Sequence, residues 1–267
     1  MKINYLPTAV LSLLIIMNST IAAPLPPKEK LQLYLLIGQS NMAGRGVPEE
    51  VDQTPHPRVL LFATNQWIPA TEPITKDPNK FHGVGPGLAF AKIMAEKKPD
   101  ATIGLVACAV GGTPLKRWVR GADLYTNAVH QARLAMKEGT LAGILWHQGE
   151  SDTGHATDAN TYGERLAQMI HDLREDLGAT NVPIVVGELG QFLINRPNKP
   201  VPLAKVVNEA LLKIPSHVPL TGCAESKGLA DKGDELHFSA PAQREFGRRY
   251  AAIMLKLEAQ AAINLSK

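Results

Sequence analysis

The stretch LYLLIGQSNMAGRG, residues 33 to 46, joins an uninterrupted apolar run to a turn of polar and glycine residues. Apolar runs without alternation are typical of strands that are buried on both faces of a parallel sheet. The turn contains one serine, Ser40, placed directly after the predicted strand. Two interpretations follow: the turn is a tight connection with a capping serine, which is the commoner case, or it presents Ser40 for chemistry.

Working outward from this stretch, apolar runs alternate with periodic segments along the chain. The pattern predicts strands at 31–38, 58–63, 102–109, 141–147 and 183–189, and helices at 86–98, 122–138, 160–177, 201–214 and 241–260. This alternation indicates an α/β fold, with a parallel sheet inside a three-layer α/β/α sandwich. The segment 47–84, rich in Pro, Thr and Asp, is predicted to be an irregular excursion that lines one edge of a cleft.

Composition narrows the class of protein. The chain has 267 residues, enough for one large domain, and no internal repeat or second domain is visible, so we assign 31–267 to a single domain. Its net charge of +3 without a basic cluster, and its aromatic content of 5%, argue against nucleic acid as a partner. The sequence does not indicate an oligomeric state.

The N-terminus has the layout of a secretory signal peptide. Lys2 precedes an apolar run at 10–17, and the small residues Ala22 and Ala23 suit a cleavage site. We therefore predict a signal peptide at 1–23, a linker at 24–30, and a secreted or periplasmic protein with no stable membrane association after cleavage. An uncleaved anchor is the alternative, although the apolar run is short for a membrane span.

The cysteine content is low. Cys108 and Cys223 both lie in small, apolar surroundings. Export would permit a disulfide between them, and buried free thiols are the other possibility. Two cysteines give no pattern of metal ligands.

Polar blocks follow the predicted strands at the positions where a ligand would bind. They are GQSN after the first strand, GGTP after the third, HQGESD after the fourth, and DELHF before the last helix. In open α/β sheets the ligand crevice lies beyond the carboxyl ends of the strands. Ser40 is the candidate nucleophile, and His237 is its candidate base. Asp234, three residues before His237, is the candidate carboxylate that orients the imidazole.

Acyl transfer also needs hydrogen-bond donors for the oxyanion. The candidates are the backbone N–H of Ser40, a backbone N–H at Gly111 or Gly112, and the side-chain amide of Gln148. The HQGESD block has a competing interpretation as a zinc site formed by His147, Glu150 and His155. We disfavour it, since no third histidine motif supports it and Glu150 can serve as a second carboxylate facing His237. The sequence predicts neither a metal nor another cofactor.

These blocks resemble those of a known superfamily. GQSNMAGRG, GGT after an apolar strand, WHQGESD and DELHFS are similar to the ordered blocks of the SGNH hydrolases, and more narrowly of carbohydrate esterase family six and the sialate O-acetylesterase domain. The resemblance covers nearly all of 31–257. It implies a flavodoxin-like sheet and metal-free deacetylation of an O-acetylated sugar.

The resemblance also implies roles for individual residues. It places the nucleophile on Ser40 and the base on His237. The glycine donor falls on Gly112, with Gly111 as the alternative, and the amide donor on Gln148. Either Asp234 or Glu150 could hold the histidine; spacing favours Asp234. Apart from the resemblance, the sequence offers Asn41, Gly111 and Trp118 as candidate substrate-binding residues, with Asn41 able instead to orient the turn that carries Ser40.

The function expected from the sequence is that of an exported serine esterase. It would remove O-acetyl groups from a carbohydrate such as acetylated xylan, through an acyl-enzyme intermediate. The alternatives are a sialate O-acetylesterase or an esterase for another acetylated glycan. A non-catalytic carbohydrate-binding protein is the alternative from another class.

Overall fold

The computed structural model describes residues 24–75, 82–196 and 201–265. The predicted signal peptide lies outside this part of the chain. Seven strands form one sheet: β1 (Leu31–Gly38), β2 (Val59–Ala63), β3 (Gln66–Pro69), β4 (Thr102–Ala107), β5 (Thr140–His147), β6 (Ile184–Gly187) and β7 (Thr221–Ala224).

Helices connect and cover these strands. The described ones are α1 (Ser40–Ala43), α2 (Glu50–Gln53), α3 (Gly87–Lys97), α4 (Asp123–Ala135), α5 (Ala156–Asn160), α6 (Tyr162–Asp176), α7 (Gln191–Ile194), α8 (Leu203–His217) and α9 (Ala240–Leu265). Short 3-10 turns are found at Lys28–Lys30, within the predicted linker, and at Leu115–Arg117 and Glu150–Asp152.

The sheet has the order β3-β2-β4-β1-β5-β6-β7, and every pairing is parallel except that of β2 with β3. The predicted α/β/α sandwich is therefore confirmed. One detail differs from a flavodoxin sheet, in which the first strand lies between the second and third parallel strands. Here β4, the third parallel strand, lies between β1 and β2. The strand β1 consequently pairs with β4 and β5 at the centre of the sheet.

Burial on both faces explains the apolar run of β1. Leu33, Leu35 and Ile37 pack into the core that includes residues of α4, α6 and α8. Tyr34 and Leu36 point to the opposite face, into the core shared with α3 and α9. Because side chains alternate between faces along a strand, a strand with helices on both sides needs apolar residues at every position.

Two strands were missed by the sequence analysis. The strand β3 has largely exposed side chains, and β7 has only four residues, TGCA, including a glycine. Neither carries an apolar run. The described parts of the predicted excursion 47–84 contain α2, β2 and β3, so this segment forms one edge of the sheet.

Both cysteines are free thiols. Cys108 is buried in the core on the α4 side of the sheet, and Cys223 is half-buried on β7. Burial raises the pKa of each thiol to about 12. Within the described ranges, no helix has the length and apolar character required to cross a membrane.

Candidate active site

The turn between β1 and α1 sets the position of Ser40. Gly38, the last residue of β1, has φ +135°, and a Cβ at this position would lie 2.1 Å from the carbonyl oxygen of His147. Only glycine permits this close approach of β1 to the end of β5. The Gln39 N–H then donates to the His147 carbonyl (2.8 Å), and α1 begins at Ser40.

The three residues predicted as a triad are in contact. His237 Nε2 lies 3.1 Å from Ser40 Oγ, and His237 Nδ1 lies 2.7 Å from Asp234 Oδ2. The other carboxylate oxygen of Asp234 accepts the backbone N–H groups of Leu236 (3.0 Å) and His237 (2.8 Å). The carboxylate thereby fixes both the segment that carries the histidine and the orientation of its ring. This geometry matches a nucleophile, a base and an orienting carboxylate.

The electrostatics of the pair suit a general base. Burial lowers the pKa of His237, the contact with Asp234 partly offsets this effect, and Arg45 and Lys232 lower the pKa further. Burial opposes the ionisation of Asp234, but hydrogen bonds from His237 and from the backbone N–H groups hold its pKa well below the ordinary value. At neutral pH the imidazole is therefore neutral and the carboxylate is ionised, as proton abstraction from Ser40 requires.

Asn41 connects three segments around this triad. Its Nδ2 donates to Glu150 Oε1 (2.6 Å) and to the Leu236 carbonyl (3.1 Å), and its Oδ1 accepts the Phe238 N–H (3.1 Å). The contacts at Leu236 and Phe238 hold both neighbours of His237. Asn41 is 1% exposed, so the structure gives it a positioning role and does not support its predicted contact with substrate.

Glu150 is buried and, among the residues that the structure describes, has neither a hydrogen bond nor an ion pair with His237. Its side chain is 5% exposed, Oε1 lies 3.8 Å from His147 Nε2, and Oε2 has no hydrogen-bond partner in the described part of the protein. Burial raises the pKa of Glu150 to about 7 and lowers that of His147 to about 3. Of the two carboxylates left open by the sequence, Asp234 holds the catalytic histidine in this geometry. Glu150 supports Asn41.

Two of the predicted oxyanion donors are available. Ser40 begins α1, and the first N–H groups of a helix have no partner within it. Gly112 is exposed, has φ +73°, and has no atom within 4 Å of where a Cβ would lie. Gly111, its half-buried neighbour, precedes it in the loop after β4. Open space beside a glycine N–H permits close approach of a substrate.

The third predicted donor, Gln148, is directed elsewhere. The side chain is fully buried, and its Nε2 lies within hydrogen-bond distance of Asp152 Oδ2 (2.7 Å), Thr113 O (3.0 Å) and Gln39 Oε1 (3.1 Å). Its Oε1 accepts from the Tyr162 hydroxyl. The structure therefore corrects the prediction: both amide protons are directed to protein acceptors, and Gln148 braces the loops around the site.

Trp118 is also misplaced by the sequence analysis. It is 1% exposed and packs edge-to-face on Trp146, with 5.6 Å between ring centroids. Its Nε1 donates to Thr113 Oγ1 (3.1 Å). A ring enclosed in the core offers no face to a sugar, so the predicted substrate contact is wrong. Sequence alone does not distinguish a buried tryptophan in a loop from one that lines a cleft.

The alternative zinc site would need His147, Glu150 and His155 to lie together, and the structure places His155 apart from the other two. His147 is buried beside Glu150, whereas His155 is the exposed residue that precedes α5. In the described ranges no group of three or more His, Cys, Asp or Glu side chains could hold a metal ion.

Gln39, the residue before the nucleophile, supports the site. Its Oε1 accepts from Gln148 Nε2 (3.1 Å) and from the backbone N–H groups of Ser151 (3.2 Å) and Gly149 (3.5 Å). It therefore couples the residue before the nucleophile to the turn after β5. The sequence feature that indicates this role is the position of Gln39 directly before Ser40 in the GQSN block.

Comparison with known proteins gives a family match over most of the chain. Residues 30–256 match the family model described as "Carbohydrate esterase, sialic acid-specific acetylesterase". A probable carbohydrate esterase of Arabidopsis thaliana is 35% identical over 259 residues, which cover 88% of this chain and 93% of that protein.

Solved structures agree with this match. The X-ray structure of the Arabidopsis thaliana protein has a TM-score of 0.76 and 33% identity, and the alignment covers 86% of this chain and 99% of that one. The crystal structure of NanS has a TM-score of 0.72 with 19% identity, over 89% of this chain and 100% of that one. The second likeness concerns the fold alone.

Proposed function

The chain belongs to the sialic acid-specific acetylesterase family of carbohydrate esterases and is a carboxylic ester hydrolase, and on this basis we propose that it removes O-acetyl groups from carbohydrate by a serine mechanism. The observation that carries the proposal is the continuous contact from Ser40 Oγ through His237 to Asp234. A protein that only bound carbohydrate would not require this set.

In the proposed reaction, His237 Nε2 accepts the proton of Ser40 Oγ as the oxygen attacks the acetyl carbonyl. The backbone N–H groups of Ser40 and Gly112 donate to the oxyanion that forms. The protonated His237 gives its proton to the sugar oxygen as the C–O bond of the ester breaks, leaving an acetyl group on Ser40. His237 then accepts a proton from the water that attacks the acetyl-enzyme, and it returns this proton to Ser40 Oγ as the Oγ–acetyl bond breaks and acetate leaves.

The tautomer of His237 follows from its partners. Asp234 Oδ2, 2.7 Å from Nδ1, keeps the proton on that nitrogen, so Nε2 is free to accept from Ser40. The ionised Asp234 also stabilises the imidazolium formed during the attack. The chain's own residues thus supply nucleophile, base and oxyanion donors.

We further propose that the enzyme is exported and that acetylated xylan is a substrate. Export is supported by the signal-peptide layout of residues 1–23. Membership of a sialic acid-specific acetylesterase family makes O-acetylated sialic acid the second candidate substrate. Acetate release from acetylated xylan, other acetylated glycans and O-acetylated sialic acid, measured side by side, decides between them.

The test of the mechanism is Ser40→Ala on an aryl acetate. Loss of the nucleophile should reduce kcat by roughly 10⁴-fold or more. Ser216→Ala, which changes an exposed serine on α8, is the matched control and should retain wild-type turnover. Wild-type turnover by Ser40→Ala would refute the serine mechanism.

A further inference from the structure

A groove of about 660 Å³ lies beyond the carboxyl ends of β2 and β4, between α4 and the segment 71–75. We call it the β2–β4 groove. Its volume falls in the range of ordinary small-molecule sites, about 300–1,000 Å³. The triad residues do not line it, so the mechanism described above leaves the groove without a role.

The β2–β4 groove adjoins the catalytic residues. Its wall includes Ala107–Val110, which continues directly into Gly112, the proposed oxyanion donor. The Val110 N–H donates to the carbonyl of Gly38 (3.0 Å), two residues before Ser40. Since neighbouring strands are about 4.8 Å apart, β4 is one spacing and β2 two spacings from the strand that carries the nucleophile. A chain-like substrate whose acetyl ester lies at Ser40 can extend along this edge.

The lining of the groove carries no positive side chain: none of the described residues that form it is Lys, Arg or His. Its one carboxyl, Glu72, is 2% exposed and accepts the backbone N–H groups of Ile74 (3.0 Å) and Gly85 (3.3 Å). Burial raises the pKa of Glu72 to about 8, which keeps this carboxyl mainly protonated at neutral pH. Carboxylate and phosphate ligands are bound by charged donors, especially Arg. This lining suits an uncharged ligand.

The polar groups of the groove are amides and hydroxyls. Asn127 and Gln131 lie one turn apart on the same face of α4, and neither side chain has a hydrogen-bond partner in the described part of the protein. Thr71 adds a hydroxyl, and Ile68 (42% exposed) and Pro69 add apolar surface. A pyranose ring presents hydroxyl groups around its edge and C–H groups on its faces, so it matches amide donors and acceptors next to apolar surface.

We propose that the β2–β4 groove binds the uncharged sugar units that flank the acetylated residue, so that the enzyme selects neutral polysaccharide over an anionic sugar such as sialic acid. This inference rests on the proposed function for the chemical step and adds the site that determines the substrate class. Asn127 and Gln131 are its hydrogen-bonding residues.

The first experiment measures kinetics with the full chain. The double variant Asn127→Ala/Gln131→Ala loses two hydrogen bonds to the polymer but none to a small aryl acetate. Its kcat/KM should therefore fall about tenfold more for acetylated xylan than for the aryl acetate, and the difference should appear as a higher KM. Asn160→Ala, an exposed asparagine on α5, is the control and should leave both values unchanged. Equal losses on the two substrates, or none, would overturn the proposal.

The second experiment measures binding without turnover. By calorimetry, Ser40→Ala should bind a neutral xylo-oligosaccharide, and adding Asn127→Ala/Gln131→Ala should weaken this binding about tenfold. Tighter binding of a sialic acid oligomer would contradict the proposal. Because binding is measured without catalysis, failure of the proposed function and failure of the groove proposal can be told apart. If the wild-type protein is inactive on every acetate ester, the proposed function is rejected. If it is active and the double variant binds and reacts like the wild type, the groove proposal is rejected.

Discussion

At the scale of single residues, the two carboxylates considered as partners of His237 have different environments. Asp234 is partly exposed, contacts His237 at 2.7 Å and has a pKa well below its ordinary value. Glu150 is buried, contacts Asn41 at 2.6 Å and has a pKa of about 7. An ionised carboxylate beside the imidazole can stabilise its positive charge, whereas a buried carboxyl that binds Asn41 and has a raised pKa is poorly suited to do so.

This difference predicts unequal effects of two isosteric substitutions. Asp234→Asn should reduce kcat on an aryl acetate by about 10³- to 10⁴-fold, because an amide no longer holds His237 in the required tautomer. Glu150→Gln should cost less than about tenfold, since the amide oxygen can still accept from Asn41 Nδ2. A loss for Glu150→Gln equal to that for Asp234→Asn would show that both carboxylates act on the histidine.

The charges around His237 predict the pH dependence. Because the pKa of His237 is lowered, kcat/KM should rise with pH through an apparent pKa below 6.5 and be level at neutral pH. Lys232 contributes to this lowering, so Lys232→Met should move the acid limb to higher pH. Lys213→Met, an exposed lysine on α8, serves as the control. An acid limb that moves to lower pH in Lys232→Met would contradict this assignment.

At the scale of elements, the triad and the residues that support it lie on three connections that follow different strands. The β1–α1 turn carries Ser40, the turn at Glu150–Asp152 follows β5, and the segment before α9 carries Asp234 and His237. Asn41 is hydrogen-bonded to the second and third of these connections, and its own carbonyl accepts from Gln243 Nε2 on α9 (3.0 Å). The relative position of nucleophile and base therefore depends on one buried amide.

Removing that amide should affect stability and activity together. Asn41→Ala leaves the Phe238 N–H and Glu150 Oε1 without their partner, and we expect a loss of about 2 to 3 kcal/mol in the free energy of unfolding, measured with urea. The value of kcat should also fall because both neighbours of His237 are released. Asn160→Ala should change the free energy of unfolding by less than about 0.5 kcal/mol. Unchanged stability and kcat in Asn41→Ala would exclude the positioning role.

The blocks that contain the site were predictable from sequence, but the direction of individual side chains was not. Ser40 was identified as the candidate nucleophile because it directly follows a predicted strand. Asp234 and His237 were identified as carboxylate and base because they are three residues apart. Gln148 lies within one of these blocks and Trp118 shortly after another, yet both side chains turn into the protein. Their direction depends on contacts with Gln39 and Thr113, whose positions depend on the assembled sheet. Local sequence does not encode that information.

At the scale of the whole molecule, five strand patterns and five helix patterns predicted the sandwich. Where an apolar pattern is long, the secondary structure that it encodes depends little on the rest of the fold. The order of the sheet was not predictable. The connection from β1 to β2 passes over β4, and the described parts of 47–84 carry no strong periodicity that would place β2 and β3 at the edge. Short strands such as β7 take their conformation from their neighbours.

Burial of Glu150 also predicts how the stability of the whole chain varies with pH. The folded pKa of about 7 lies above the ordinary value of 4.5, so the unfolded chain loses this proton first and stability falls as pH rises from about 4.5 to 7. Glu150→Gln should remove this part of the dependence, on the order of 3 kcal/mol. Unfolding in urea at several pH values measures it.

The control for this prediction is Glu164→Gln, an exposed glutamate on α6, which should leave the dependence of stability on pH unchanged. Glu72, with a folded pKa of about 8, contributes in the same direction and remains in both variants. A curve for Glu150→Gln that falls as steeply as that of the wild type would show that Glu150 is ionised in the folded protein.

The two free cysteines have a practical consequence for labelling. Thiolates, not thiols, react with maleimides and iodoacetamides, and burial keeps Cys108 and Cys223 protonated far above neutral pH. A reporter cysteine introduced at exposed Thr126, the neighbour of Asn127 on α4, would therefore be alkylated selectively without removing the native pair or a residue of the groove. A fluorophore at that position would report occupancy of the β2–β4 groove during titration with sugars.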